Sequence, residues 1–203
     1  MLVLGFGPIG VEVAKQAARL DASVSVFDIQ HSMIPHIRGA GFVLLYRLLK
    51  SNIGRFDVII GCTGQRSLPD SLLNDIKPGA VMASASSANI EFNGLISRRT
   101  GVFKWPWAND FEEDSDFQRA HNDYFIDRPD GTIWVLNGGV PVNFTGGVDP
   151  IPSVLIQMTR ALMLGGAVQA VRLAKNPDHV GIIGLDMEIQ KFVRDHFGVL
   201  IDS

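Results

Sequence analysis

A glycine-rich hexapeptide, Gly5-Phe6-Gly7-Pro8-Ile9-Gly10, constrains this chain more than any other feature, because of what stands on either side of it. Before it lies the wholly apolar run Leu2-Val3-Leu4, which reads as a strand buried on both faces. After it, Val11, Val13, Ala14, Ala17, Ala18 and Leu20 place apolar groups at helical spacing, predicting a helix from Ile9 to Leu20. In a strand-loop-helix unit of this kind the first glycine makes the tight turn. The second lets the backbone approach a diphosphate, and the third lets helix and strand pack closely. Free N–H groups and the dipole at the helix start then favour an anion.

The same alternation continues. Ser23 to Phe27 reads as a second strand, 32–40 as a short helix, Phe42 to Leu45 as a third strand, and the span Leu44 to Ile53 as holding a helical turn. Asp57 to Ile60 gives a fourth strand, Asp70 to Asp75 a helical segment, and Ala80 to Ala83 a fifth strand. Strands joined by helical crossovers must run parallel, so the expected architecture is α/β, a doubly wound parallel sheet of the Rossmann type. Only barely four residues precede the glycines, so the chain could begin inside a longer parent.

The pattern breaks at about 98–130, where Lys104-Trp105-Pro106-Trp107 and the acidic run Glu112 to Asp116 have no period. This stretch is expected to be a loop-rich insertion. Ile133 to Leu136 and Val140 to Phe144, separated by Asn137-Gly138-Gly139, read as a β-hairpin. Pro150 and Pro152 suit the start of a helix that continues to about Leu173, with Gly165-Gly166 marking either a close packing contact or a helix end. Glu188 to His196 forms a last helix. The expected division is a cofactor-type domain over 1–175 and a helical extension over 176–203.

Composition excludes several classes. Eighteen basic against 21 acidic side chains give a net charge of -3, with no field favouring nucleic acid. No apolar run approaches the roughly 18 residues of a membrane span, and no signal-peptide pattern opens the chain, so a cytoplasmic protein without a membrane partner is expected. The single cysteine, Cys62, permits no intrachain disulfide and suits a reducing compartment.

Asp28 stands at the end of the second expected strand, 18 residues past Gly10, followed by Ile29. A carboxylate there accepts hydrogen bonds from an adenosine ribose diol and repels a 2′-phosphate, which favours NAD over NADP. Arg38, ten residues further on, is read as solvated rather than as a phosphate ligand. The fourth strand ends in Ile60-Gly61-Cys62-Thr63-Gly64-Gln65 and the fifth in Met82-Ala83-Ser84-Ala85-Ser86-Ser87. Both bring small residues to the carboxyl edge of the sheet, where ligands of open α/β sheets lie. The expected cofactor contacts are therefore Gly5, Phe6, Gly7, Pro8, Ile9, Gly10, Asp28, Ile29, Cys62, Thr63, Gly64, Ser84 and Ala85. Cys62, in an apolar strand end without a neighbouring base, reads as a packed thiol. His31, His36, His121, His179 and His196 are scattered singly, so no catalytic pair can be named, and no metal site is expected.

Together the loop Gly5 to Gly10, the block Gly61-Cys62-Thr63-Gly64-Gln65, the segment Ala80 to Phe92, the run Ile133 to Phe144 and the Pro152-Ser153 helix entry resemble the NAD-binding domain of the S-adenosylhomocysteine hydrolase family, over about residues 1–165. That family holds NAD tightly and uses it to oxidise a substrate ribose transiently. The resemblance implies that Thr63 and Gly64 border the cofactor and that Asn143 faces the nicotinamide carboxamide. Ser87 and Ile151 stand where the family has histidines, and the tail lacks the lysine and tyrosine that reach a neighbouring subunit's cofactor. The family's substrate-binding half has no counterpart, so hydrolysis by this chain alone is not expected. The resemblance implies a dinucleotide cofactor and a small-molecule substrate, and it suggests that Gly165-Gly166 and the apolar 151–173 helix could support the twofold contact of a homo-oligomer. Two other readings stay open: an NAD-sensing regulatory module acting through 98–130, and the cofactor domain of an oxidoreductase similar to the 2-hydroxyacid or alanine dehydrogenases.

Overall fold

A computed structural model describes residues 1–86, 90–103, 122–142, 153–174 and 181–201. Contacts divide the chain into two compact units, Met1–Thr145 and Gly146–Ser203.

The first unit is built on one sheet. Its strands are β1 (Leu2–Leu4), β2 (Ser25–Phe27), β3 (Val43–Leu44), β4 (Val58–Gly61), β5 (Val81–Ser84), β6 (Gly101–Phe103), β7 (Asp123–Arg128) and β8 (Gly131–Val135), in the spatial order β3-β2-β1-β4-β5-β8-β7-β6. Every pairing from β3 across to β8 is parallel, and β7 and β6 add antiparallel strands beyond it. With β8 in the sixth place, the parallel part has the doubly wound order 3-2-1-4-5-6. Helices α1 (Pro8–Arg19), α2 (Ile34–Gly39) and α3 (Lys50–Ile53) make the first crossovers, a 3₁₀ segment, Asp70–Asp75, makes the next, and a one-turn helix α4 (Asn93–Ile96) lies between β5 and β6.

Strand alternation sends neighbouring side chains to opposite faces, and both faces are covered. Leu2 and Leu4 pack with Ile59, Leu72, Leu73 and Met82 on one side. Val3 packs with Val26, Ala14 and Ile37 on the other. All of these are buried, which is why β1 is apolar throughout rather than alternating.

The 98–130 stretch, expected to be loop-rich, contributes β6 and β7 to the sheet, while its middle, 104–121, lies outside the described residues. Tyr124 and Ile126 are buried from β7, and that alternation is the driving force for adding the strand. The hairpin is also one strand earlier than expected. It joins β7 to β8 through Pro129 and Asp130, with Gly131 at a φ of +131°. Pro-Asp-Gly is itself a turn sequence, since proline presets φ and glycine accepts the positive value that follows. Asn137-Gly138-Gly139 instead forms a 3₁₀ turn, and the chain beyond it runs parallel to β5 through a Ser84–Pro141 bridge. The buried Asp123 carboxylate fixes this turn by accepting the Asn137 N–H at 2.5 Å, while the Asn137 amide donates to the Pro141 carbonyl at 2.7 Å.

The second unit contains α5 (Ser153–Leu173) and α6 (Met187–Ile201), packed on each other. Helix α5 is continuous through both glycines, so the packing alternative for Gly165 is the one observed: a Cβ there would lie 2.5 Å from Ile189 Cγ2. The division at 145/146 groups α5 with α6, whereas the expected boundary at 175/176 falls between them. Among the described residues, no helix is long and apolar enough to cross a membrane.

Candidate functional site

The parallel register aligns the carboxyl ends of β1, β2, β4 and β5, and the chain leaves the sheet at the glycine loop on that edge. Cys62 donates its N–H to the Leu4 carbonyl at 2.8 Å, and Gly5 donates to the Phe27 carbonyl at 2.8 Å, so the loop starts pinned between two neighbours. Gly5 has a φ of +93°, and a Cβ on it would stand 3.0 Å from the Cys62 carbonyl carbon and from Thr63 Cγ2. Conformation and space therefore both require glycine. Gly10 is required for space alone, since its Cβ would meet the Gly5 carbonyl oxygen at 2.0 Å. Gly7 differs: among the described residues, a Cβ there would touch nothing within 4 Å.

Helix α1 begins at Pro8 with Gly7 as its N-cap, without a side-chain cap and without an acidic residue in its first turn. The 12-residue helix thus takes neither a cap nor a compensating acid from its own first turn. Phe6 is buried under the loop and packs edge-on against Phe42 at 5.9 Å, while Pro8 and Ile9 are exposed.

Asp28 is where the sequence places it. Its Oδ2 accepts the Phe6 N–H at 2.6 Å and its Oδ1 accepts the Gln30 N–H at 2.7 Å. Each carboxylate oxygen has capacity for a further donor, so the group can hold the loop and still accept from a diol. It borders a cleft of about 730 Å³, lined also by Phe27, Ile29, Tyr46, Arg66 and Leu68. That is ample for a nucleoside. Ile29 is largely exposed at its rim. Arg38 is engaged with Tyr46, to which it donates a hydrogen bond.

On the other side of the loop, Cys62 is buried and Thr63 and Gly64 are exposed at the edge. Burial, reinforced by the nearby Glu91 charge, pushes the Cys62 thiol up to about 12. It is therefore protonated at neutral pH, in keeping with a packed rather than a nucleophilic cysteine. Ser84 is fully buried, with its hydroxyl 3.2 Å from that of Ser86 and its carbonyl accepting the Val142 N–H at 3.0 Å. Ala85 donates its N–H to the Gly61 carbonyl at 2.9 Å. Ser84 and Ala85 thus shape the edge through their backbone. Asn143 lies outside the described residues, as do Ser87, Trp105, Trp107, the acidic run 112–116, Ile151 and Pro152.

One buried residue escaped the sequence reading. Glu91 is 0% exposed and accepts hydrogen bonds from the backbone of Thr63 at 2.6 Å and Gly64 at 2.7 Å. Nothing local in Ile90-Glu91-Phe92 signals that role, since the donors come from a strand end 27 and 28 residues earlier. Among the described residues, no group of three or more histidine, cysteine, aspartate or glutamate side chains could hold a metal ion.

Sheet order, glycine loop and strand-end carboxylate together define an α/β domain of the Rossmann class. No family model matches the chain. Two Mycobacterium tuberculosis proteins, the uncharacterized MT0113 of strain CDC 1551 / Oshkosh and Rv0104 of strain H37Rv, are each 28% identical to it over 189 residues, covering 90% of this chain and 32% of theirs. The chain thus spans about a third of the length of these relatives. Similar solved structures include the A chain of dipicolinate synthase from Bacillus subtilis, with 22% identity over 42% of this chain and 29% of that one and a TM-score of 0.37. A transhydrogenase from Sinorhizobium meliloti matches at 23% identity over 40% of this chain and 29% of its own, with a TM-score of 0.36. A putative D-3-phosphoglycerate dehydrogenase from Ralstonia solanacearum matches at 22% over 47% and 29%, with a TM-score of 0.41. These are partial likenesses, and the fold assignment rests on the strand order itself.

Proposed function

We propose that this chain is an NAD-binding Rossmann domain, similar to the cofactor domain of the S-adenosylhomocysteine hydrolase family, that works as one part of a larger catalytic assembly. The observation that carries the reading is the Asp28 carboxylate held 2.6 Å from the Phe6 N–H, at the mouth of the first crossover. This juxtaposition supplies the two groups a dinucleotide needs together, an anion-receptive helix start and an acceptor for a ribose diol. The uncapped N-terminus of α1 and the bare Gly7 fit a diphosphate, and the cleft beside Asp28 fits an adenosine.

When bound, the nicotinamide ring would serve as a reversible hydride acceptor. The residues of this chain bind and orient. Gly7, Ile9 and Gly10 present N–H groups towards the diphosphate, Asp28 accepts from the diol, and Thr63 and Gly64 border the half beyond the diphosphate. In this reading the groups that move protons on a substrate belong to another part of the assembly. A chain matching about a third of its relatives' length is consistent with such a division of labour.

Titration calorimetry with NAD and NADP tests this reading. NAD is expected to bind with a Kd below millimolar and at least tenfold more tightly than NADP, because the 2′-phosphate would face the Asp28 charge. Failure of both to bind would remove the reading, and preference for NADP would overturn the role given to Asp28.

A further inference from the structure

Glu91 is a fully buried carboxylate, and among the described residues no lysine or arginine forms an ion pair with it. Its donors all come from one turn. Oε1 takes the Thr63 and Gly64 N–H groups, and Oε2 lies 2.8 Å from the Thr63 hydroxyl, which is also 2.8 Å from the Gln65 carbonyl. Burying an ion without a counter-ion is costly, and a neutral side chain would fill the space more cheaply.

The strand end is also shaped around this carboxylate. A Cβ on Gly61 would lie 2.7 Å from Glu91 Oε2 and 2.9 Å from Glu91 Cβ, so β4 must end on glycine to admit it. Immediately beyond, Gly64 turns at a φ of +67°, and Thr63 and Gly64 emerge exposed beside Gly5. The glutamate therefore fixes, from beneath, the part of the sheet edge that lies across the loop from Asp28.

We propose that Glu91 is a positioning residue for the half of a dinucleotide beyond the diphosphate: it holds the Thr63-Gly64 turn in the shape that half requires, as Asp28 holds the adenosine side. This inference rests on the dinucleotide reading above. It makes the two carboxylates separable, because a ligand ending at the diphosphate needs Asp28 and not Glu91.

The test compares NAD with ADP on the whole chain by titration calorimetry. Glu91→Ala is expected to weaken NAD at least tenfold, the usual scale for losing hydrogen bonds to a charged group, and to leave ADP within about twofold. Glu91→Gln should bind NAD within about threefold of wild type. Its amide oxygen can take both N–H groups, and its amide nitrogen can donate to the Thr63 hydroxyl while that hydroxyl donates to Gln65. A purely structural role would not separate the two ligands. If Glu91→Ala does not fold, Thr63→Val, which removes only the hydroxyl, carries the same comparison with a loss of about threefold for NAD and none for ADP. Equal weakening of both ligands, or unchanged NAD affinity in a folded variant, overturns the proposal. Wild-type protein that binds ADP and NAD equally well also overturns it. Wild-type protein that binds neither overturns the dinucleotide reading and this one with it.

Discussion

Gly10→Ala is expected to abolish measurable NAD binding, a loss of at least about a hundredfold, and to lower stability by about 3 kcal/mol. The added methyl would stand 2.0 Å from the Gly5 carbonyl oxygen and 2.9 Å from the Gly5 carbonyl carbon. Both obstacles are backbone, so no rotamer change relieves them. Gly5 cannot retreat either, because its N–H is bonded to Phe27 on one side and its Cα is packed against the Cys62 carbonyl on the other. The only relief is to move the start of α1 away from β1, which carries the free N–H groups of the helix out of register with Asp28. Thermal unfolding and NAD titration measure the two losses. Gly7→Ala provides the internal comparison: its Cβ meets nothing, so stability should change little while ligand approach is hindered. A Gly10→Ala protein with wild-type affinity would mean that the loop is only a turn.

Asp28→Ala is the second large effect, and it acts by a different route. Removing the carboxylate leaves the Phe6 and Gln30 N–H groups without their acceptor and removes the acceptor proposed for the ribose diol. Hydrogen bonds to charged groups contribute about 1.5–3 kcal/mol each, so NAD affinity should fall roughly 10- to 100-fold, with about 1–2 kcal/mol lost from folding. NADP affinity should fall less, or rise, because the repulsion of its 2′-phosphate is relieved as well. The diagnostic result is therefore a collapsed NAD/NADP ratio. A variant that weakens both cofactors equally would reduce Asp28 to a structural cap for the loop.

Much of this arrangement is legible in the sequence, for reasons that can be stated residue by residue. The central strands are covered on both faces, so Leu2-Val3-Leu4, wholly buried, and Val58 to Ile60, buried at Ile59 and half-buried at Val58 and Ile60, are written as continuous apolar runs. The loop is legible because Gly5 and Gly10 answer to constraints that no other residue satisfies, and the helix boundary because Pro8 suits its first turn. The rest lies in tertiary context. A glycine pair between apolar runs makes Asn137-Gly138-Gly139 a strong local hairpin signal, while Pro129-Asp130-Gly131, where the hairpin forms, sits in a stretch without a clear period. The left-handed Asn137, at a φ of 51°, is held by a carboxylate 14 residues away, which no local pattern records. Glu91 is the sharpest case. A lone glutamate between Ile90 and Phe92 reads as a surface residue, and only the folded sheet brings it under the turn whose N–H groups it accepts. Gly61 is legible as a small strand-end residue, but its reason, room for that carboxylate, is visible only in three dimensions.

The most direct test of the central claim is a titration of NAD into isotopically labelled protein, followed through backbone amide resonances. The account predicts the largest shifts at Gly7, Ile9 and Gly10 at the start of α1, with a second group at Phe6, Asp28 and Gln30. A titration that left those amides unmoved, or that shifted only residues of α5 and α6, would contradict it.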